Sequence, residues 1–436
     1  MTVVSPPTTL RRVLRLRHLV FYGIVLIQPT APMPLFGVAS QVSKGHAVLA
    51  VLIALVAMLF TAIAYGRMAR VYPSAGSAYT YVGREIHSLA GEATGWAMML
   101  DYILNPILCT IWCSKAAGNF LPAIPYGVWV VFFALLFTSL NLRGVEASAR
   151  TNTFLACGLG GVIVIFFGAA ARYLWAAPPE AGAWLLPFYN PATFSSSDVL
   201  TGASIAALTY IGFDGISTLS EEVENPKRNI LRATVLTCAI TGVLATAEVY
   251  IAQVIWPDYT TFPDADTAYV YVGGRVGGPG LFALLNFSLL VASVGSGMGA
   301  QLGAARLMFA MGRENTLPRK FFATLSRAAV PANAVLLVGA LCVIGGFALS
   351  YQLAAELLNF GAFIAFMGVN VAALRHALRS GNRSMAFVLP PVAGFLVCFY
   401  IWLNLRPVAQ VLGAGWLTLG LLYAMWRRRN GSYAEA

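Results

Sequence analysis

The sequence predicts an all-α integral membrane protein of twelve transmembrane helices, in a five-plus-five inverted repeat with broken helices 1 and 6 and two extra helices at the end. Three observations predict it. The 436 residues are 58% hydrophobic and only 10% charged, with a mean hydropathy of +0.73, which is too little polar surface to coat a soluble globule of that length. Apolar segments near the roughly 20 residues that cross a bilayer recur along the whole chain. Two of them carry helix breakers at membrane depth, "IQPTAPMPLFG" at 27–37 and "LTYIGFDGISTLSEE" at 208–222.

The apolar segments fall at 19–42, 48–68, 94–117, 128–142, 154–175, 199–220, 233–255, 280–311, 334–350, 354–374, 387–403 and 408–426. The fourth, the ninth and the last two are near the short end of a spanning length. Pro29, Pro32 and Pro34 interrupt the first. A proline inside a helix removes a backbone donor and clashes with the preceding turn, at about 3 kcal/mol or more. In lipid the freed carbonyls also lack water, so such a break persists only where protein or an aqueous cavity takes them over. In the sixth segment Gly212 and Gly215 flank Asp214, an acid that is costly at the membrane centre unless it faces a cavity or a partner. Each break lies in the first helix of a five-helix block, as an inverted repeat requires. The repeats are expected at about 18–176 and 199–376 and the extra helices at about 385–427, all within one membrane domain covering 1–436.

Basic residues orient the chain. With the amino terminus inside, most Lys and Arg fall on one side: Arg11 to Arg17, Arg67, Arg70 and Arg84, Arg143 and Arg150, Lys227 to Arg232, Arg306 to Arg327, Arg375 to Arg383 and Arg427 to Arg429. Both termini are therefore expected in the cytoplasm, and the connection "AAPPEAGAWLLPFYNPATFSSSD" outside. Topology accounts for the formal charge of +11, so nucleic acid, which wants a basic stripe on a soluble domain, drops out as a partner. No cleavable leader is expected, because the first apolar segment is too long for a signal core. The six cysteines lie in predicted spans and read as small apolar fillers. The four histidines sit near span ends without ligand spacing, so no metal site is expected.

Three stretches, "YPSAGSAYTYVGR" (72–84), "YIGFDGISTLSEEVENPKRNI" (210–230) and "AARLMFAMGRENTLP" (304–318), resemble motifs of the amino acid, polyamine and organocation permease superfamily. They occur in order, and the resemblance covers essentially the full chain. "MLDYILNP" around Tyr102 and the "QP" opening the first break are most similar to bacterial putrescine importers within that superfamily. The resemblance implies alternating-access transport of an amino acid or a polyamine such as putrescine across the cytoplasmic membrane, with no cofactor beyond a proton or sodium gradient. Antiport of one amine or amino acid for another remains an alternative, as does a membrane amine sensor that does not transport. No nucleophile and base pair, P-loop or metal cluster stands out, so chemistry on the substrate is not expected. The expected partners are the substrate and the lipid bilayer; the oligomeric state is open.

In relatives that carry amino acids, NH groups of a glycine-rich first break hold the substrate carboxylate. This chain departs from that pattern, because its three prolines have no NH to give, whereas Gln28, Thr30 and exposed carbonyls present oxygen that suits an ammonium group. The resemblance implies that Asp214 handles a cationic substrate; the alternative is a cap on its own half-helix. Tyr102 carries over from the putrescine importers as a substrate contact, by its ring and its hydroxyl. Tyr210, Ile211 and Phe213 are expected around the same cavity, Phe213 as a gate.

Asp101 reads as an amine ligand, a proton acceptor or a helix-to-helix hydrogen bond. Ser293 and Ser296 are coupling candidates as sodium ligands, although "SVGSGMGAQLG" also reads as small-xxx-small helix packing through Gly295 and Gly299. Glu221, Glu222 and Arg228, with Glu224 beside them, are inner-gate candidates. Glu248, inside the seventh span, is expected to be paired. Some proton-coupled relatives carry a lysine in the fifth helix where "TNTFLACGLGGVIVIFF" has none, which leaves the coupling ion open.

Overall fold

The computed structural model describes residues 14–72, 77–143, 149–218, 223–313, 316–326 and 330–429. The first span is two half-helices, α1 (Leu16–Ile27) and α2 (Phe36–Val42). Then follow α3 (Ala47–Val71), the short α4 (Ser77–Glu85), α5 (Ser88–Phe120), α6 (Tyr126–Leu142) and α7 (Ala149–Ala176). The sixth span is again divided, into α8 (Ser196–Ala206) and α9 (Gly215–Thr218). The rest comprises α10 (Pro226–Ile255), α11 (Ala268–Arg313), α12 (Arg319–Phe322), α13 (Ala332–Ala348), α14 (Tyr351–Arg379), α15 (Met385–Leu403) and α16 (Pro407–Arg429). Each predicted span coincides with a helix or a pair of half-helices, and the two divided spans are the first and the sixth. Below, the end of the bundle where α1 begins is called lower and the end where α2 finishes upper.

Local chemistry sets several boundaries. Ser195 accepts a hydrogen bond from Asp198 N and starts α8, and Ser350 does the same for Leu353 N at the start of α14. Pro226 opens α10 at a position where its missing NH costs nothing. In α11, Gly278 stands at φ +68° directly before Pro279, a left-handed conformation that glycine adopts without a Cβ clash. The kink separates a short upper helix from the spanning part, which begins at Gly280 as the sequence predicts.

Lipid-immersed helices gain little from apolar burial against one another, so close approach and hydrogen bonds hold the bundle. The small residues Ala50, Ala54, Ala57, Ala62 and Ala64 of α3 are buried and let α8, α10, α14 and α15 pack around it. Gln301 of α11 donates to Thr138 Oγ1 of α6 at 2.9 Å and accepts from Asn141 Nδ2 at 2.8 Å. The last helix is clipped to α5 by Trp96 and Trp416, each ring NH donating to the other's carbonyl at 2.9 and 3.0 Å. Arg427 and Arg428 complete that joint on Glu92, at 3.1 and 2.8 Å. Eight described helices are long and apolar enough to cross a membrane unaided, and their outer faces expose residues such as Val164, Val243 and Leu396.

Two local expectations resolve differently from their simplest form. Gly295 and Gly299 have open space where a side chain would begin, whereas Gly297 lies against Cys109 and Phe137 and Gly303 against Tyr102. The close helix approach therefore falls at Gly297 and Gly303 and not at the Gly295 and Gly299 pair. Glu248, expected to be paired, is fully buried, and neither carboxylate oxygen has a hydrogen-bond partner among the described residues.

Candidate functional site

Residues 28–35 form no regular helix but a run of tight turns. Gln28 takes φ +69° and ends α1, its NH still bonded to Ile24 O. Ala31 N then donates to Gln28 O at 3.1 Å, Met33 N to Thr30 O at 3.1 Å and Leu35 N to Pro32 O at 3.2 Å. The turns matter chemically. The prolines have no NH, and those of Ala31, Met33 and Leu35 are spent inside the loop, which leaves the carbonyls of Pro29, Ala31 and Pro34 without a backbone donor among the described residues.

The second break follows the same logic with glycine in place of proline. After α8 a tight turn over Ala207–Tyr210 leads to extended Ile211 and to Gly212 at φ +122°, and helix resumes at Gly215. Asp214 sits directly before that restart and is half-buried; its carbonyl accepts from Ser217 N and Oγ at 2.9 and 2.6 Å.

The two breaks lie side by side. Lower half packs on lower half, α1 against α9, and upper half on upper half, α2 against α8. A Cβ on Gly23 would stand 2.6 Å from Ile216 Cδ1, and one on Gly202 would stand 2.7 Å from Ser43 Cβ, so these glycines permit both contacts. Helix α11 passes the first break, where Gln28 Nε2 donates to Ala292 O at 3.4 Å. Ser293 is the next residue, while Ser296 lies beside Cys109 of α5. Helix α5 brings half-buried Asp101 and Tyr102 to the same place: both interact electrostatically with Asp214, as does Tyr65 of α3. Tyr22 of α1, 39% exposed, is in range of Tyr102.

Other candidates fall around this centre. Thr30 is buried within the first break, and Ile211 keeps partial exposure. Phe213 is fully buried, 5.6 Å from the Tyr65 ring and 5.5 Å from Phe366, so it belongs to an aromatic layer under the break. Tyr210 is buried as well, and its hydroxyl donates to Val51 O of α3 at 3.1 Å, a helix-to-helix contact. Arg228 is exposed on the first turn of α10. Glu221 and Glu222 lie outside the described residues. Their neighbour Glu224 pairs with Arg15 at 3.4 Å, and its NH donates to Leu14 O at 2.9 Å, tying the start of α1 to the chain after α9.

A set of contacts that sequence reasoning missed closes the upper side. The segment between α10 and α11 folds over α2: Phe36 packs on Phe262 and Tyr269 at 5.6 and 5.7 Å, and Gly37 lies against the Ala265 backbone. Lys115 of α5 holds that segment from the other side, 3.2 Å from Asp264 and 3.7 Å from Asp266. Lys44 meets Asp198 at 2.7 Å; that hydrogen bond and the charge of Asp198 raise the lysine above its usual pKa. Buried His46 donates from Nδ1 to Ser43 O and accepts at Nε2 from Asn190 N, both at 3.0 Å, bonds that assign it the neutral form. The available signal was Lys115 itself, a charge inside a predicted span.

A sequence profile of the amino acid permease family matches residues 32–414. The chain belongs to the amino acid permease family. It is similar to the low-affinity putrescine importer PlaP of Escherichia coli strain K12, 33% identical over 96% of this chain and 95% of the relative. It also resembles the branched-chain amino acid permease BcaP of Bacillus subtilis strain 168, 23% identical over 98% and 95%. A third relative is cationic amino acid transporter 3, mitochondrial, of Arabidopsis thaliana, 26% identical over 84% of this chain and 62% of that protein. An amino acid permease is a multi-pass membrane transporter and not an enzyme, and the interrupted helices are where this one offers polar groups inside an apolar bundle.

Proposed function

We propose that this permease imports a small organic cation, with a diamine such as putrescine as the favoured substrate, and that the cation binds between Asp101 and Asp214 where the interrupted helices meet. One observation carries the reading: two partly buried carboxylates from different helices lie within electrostatic range of each other, beside a loop that leaves carbonyl oxygens without a backbone donor. Such a site suits ammonium groups and would repel a lone carboxylate. In this reading Gln28 and Thr30 line the break, Tyr102 supports the alkyl chain, and Ile211 walls the site above the aromatic layer of Phe213. The similarity to a putrescine importer supports the same substrate class.

The lower end, rich in arginine, is the cytoplasmic one in this reading, and the membrane is the cytoplasmic membrane. Within one domain holding the repeats at about 18–176 and 199–376, one helix bundle then rocks against the other to expose the site alternately, with this state closed above by Lys115, Phe36 and the 257–267 segment. Import is coupled to an ion gradient, with Asp101 as the proton candidate and Ser293 better placed than Ser296 for a cation at the break.

The test is uptake by proteoliposomes of labelled putrescine, spermidine, and cationic and neutral amino acids under imposed proton or sodium gradients. Saturable, gradient-driven putrescine uptake that neutral amino acids do not inhibit is expected. Accumulation of a neutral amino acid unaffected by excess putrescine overturns the amine reading. Uptake that occurs only against a preloaded amine assigns antiport instead.

A further inference from the structure

At the lower end, away from the substrate site, α3, α14 and the start of α15 enclose a cleft of about 220 Å³ lined by Arg67, Arg70, His376, Ser380, Asn382 and Phe387. Its chemistry is cationic. Arg67 spans from α3 to α15, donating to Ala386 O at 2.7 Å and Phe387 O at 3.1 Å with its guanidinium 4.5 Å over the Phe387 ring. Neither Arg67 nor Arg70 has an acidic partner among the described residues. The nearby acid, Glu85 of α4, is buried and already engaged by Tyr72 OH at 2.9 Å, His376 Nδ1 at 2.6 Å and, more loosely, Arg379 at 4.0 Å. That bond fixes the His376 ring beside the cleft it lines.

The carbonyls ending α14, which would repel an anion, are occupied. Ser380 N donates to His376 O, Gly381 N to Leu378 O and Asn382 N to Ala377 O. Val71 and Phe387 give the cleft apolar lining, and the same first turns of α15 expose Met385 at 70% and Leu389 at 50%. A basic cleft with apolar lining, at the arginine-rich end of a membrane bundle, matches a lipid headgroup and its chains better than a free solute.

We propose that this cleft binds the phosphate headgroup of an acidic phospholipid, with Arg70 and Asn382 as its ligands, Arg67 as the fixed charge behind them, and the acyl chains along Met385 and Leu389. Guanidinium to phosphate is a charge-assisted contact that strengthens where water is partly excluded. The lipid would then bridge α3, α14 and α15 where Arg67 already joins two of them.

The experiment is thermal unfolding of the full chain in a neutral detergent, titrated with phosphatidylglycerol, with phosphatidylcholine of the same chains, or with inorganic phosphate. Phosphatidylglycerol is expected to raise the midpoint saturably, and the other two are not. Arg70→Gln is expected to raise the half-saturating concentration about tenfold, the loss of one charge-assisted contact, and Asn382→Ala to weaken it in the same direction. Arg429→Gln, at the same end but outside the cleft, is expected to behave as the parent. Equal stabilisation by phosphatidylcholine overturns the proposal, as does an unchanged response in both cleft variants or an equal loss in Arg429→Gln. A full effect from inorganic phosphate assigns the cleft to a free anion and overturns the lipid. If Arg70→Gln does not fold, Asn382→Ala decides alone.

Discussion

Asp101 of α5 and Asp214 at the second break are both partly buried and lie within electrostatic range of each other. Two carboxylates so placed repel each other until something positive lies between them, and a molecule with two ammonium groups can answer both. Asp101→Asn is therefore expected to weaken inhibition of uptake by putrescine by about tenfold or more, the loss of one charge-assisted contact, while inhibition by a monoamine of similar length changes by less than about threefold. Competition assays in proteoliposomes read that split. An equal loss for both amines would move Asp101 out of the binding site.

The first span is interrupted where its three prolines fall, in the turns of residues 28–35. With Pro29→Ala and Pro32→Ala together, each position regains a donor and loses a helix penalty of about 3 kcal/mol, so the break is expected to wind toward helix. Binding should fall below detection while membrane insertion, followed by protease protection, stays as in the parent. Undiminished binding would show that tertiary contacts, such as Gln28 to Ala292, keep the loop open without the prolines.

The upper side is closed in part by Lys115 on Asp264 and Asp266. Pairs this exposed contribute about 0.2–1 kcal/mol. Lys115→Met is accordingly expected to speed labelling of a Thr30→Cys probe by a membrane-impermeant thiol reagent from the upper side by roughly two- to fivefold, in a background where the native cysteines are replaced. Labelling slower than in the parent would mean that Lys115 does not restrain the closing segment.

Two buried glutamates make opposite forecasts. Glu356 is fully buried and held by Arg406 Nε at 2.7 Å, so Arg406→Ala strands a buried charge and is expected to cost about 3–5 kcal/mol. Glu248 is equally buried with no hydrogen-bond partner among the described residues, so Glu248→Gln is expected to stay within about 1 kcal/mol of the parent. Unfolding in detergent compares the two directly. A large loss for Glu248→Gln would reveal a partner that matters.

Much of the architecture was legible because a bilayer imposes a length. The twelve spans, both breaks and even the start of the eighth span at Gly280 follow from apolar runs and from where proline and glycine interrupt them. The breaks also lie side by side as the repeat plan expects, with α1 against α9 and α2 against α8, which brings the candidates Gln28, Thr30, Ile211 and Asp214 to one region. Partners distant in the chain were not legible. Lys115 and Asp264 are 149 residues apart, and Arg406 and Glu356 are 50 apart; sequence shows a charge in a span but not which helix answers it. The same limit explains Tyr210 and Phe213. An aromatic next to a break can face the cavity or the neighbouring helix, and only packing against α3 and α14 puts Phe213 in the layer beneath the site and the Tyr210 hydroxyl on Val51.

The central claim is that a cation sits at the crossing of the two interrupted helices, held by Asp214. Equilibrium binding of labelled putrescine to purified parent and Asp214→Asn protein tests it most directly, with unfolding midpoints recorded alongside. The account predicts binding at least about tenfold weaker in the variant with an unfolding midpoint like the parent's. Equal affinity in a folded variant would contradict it.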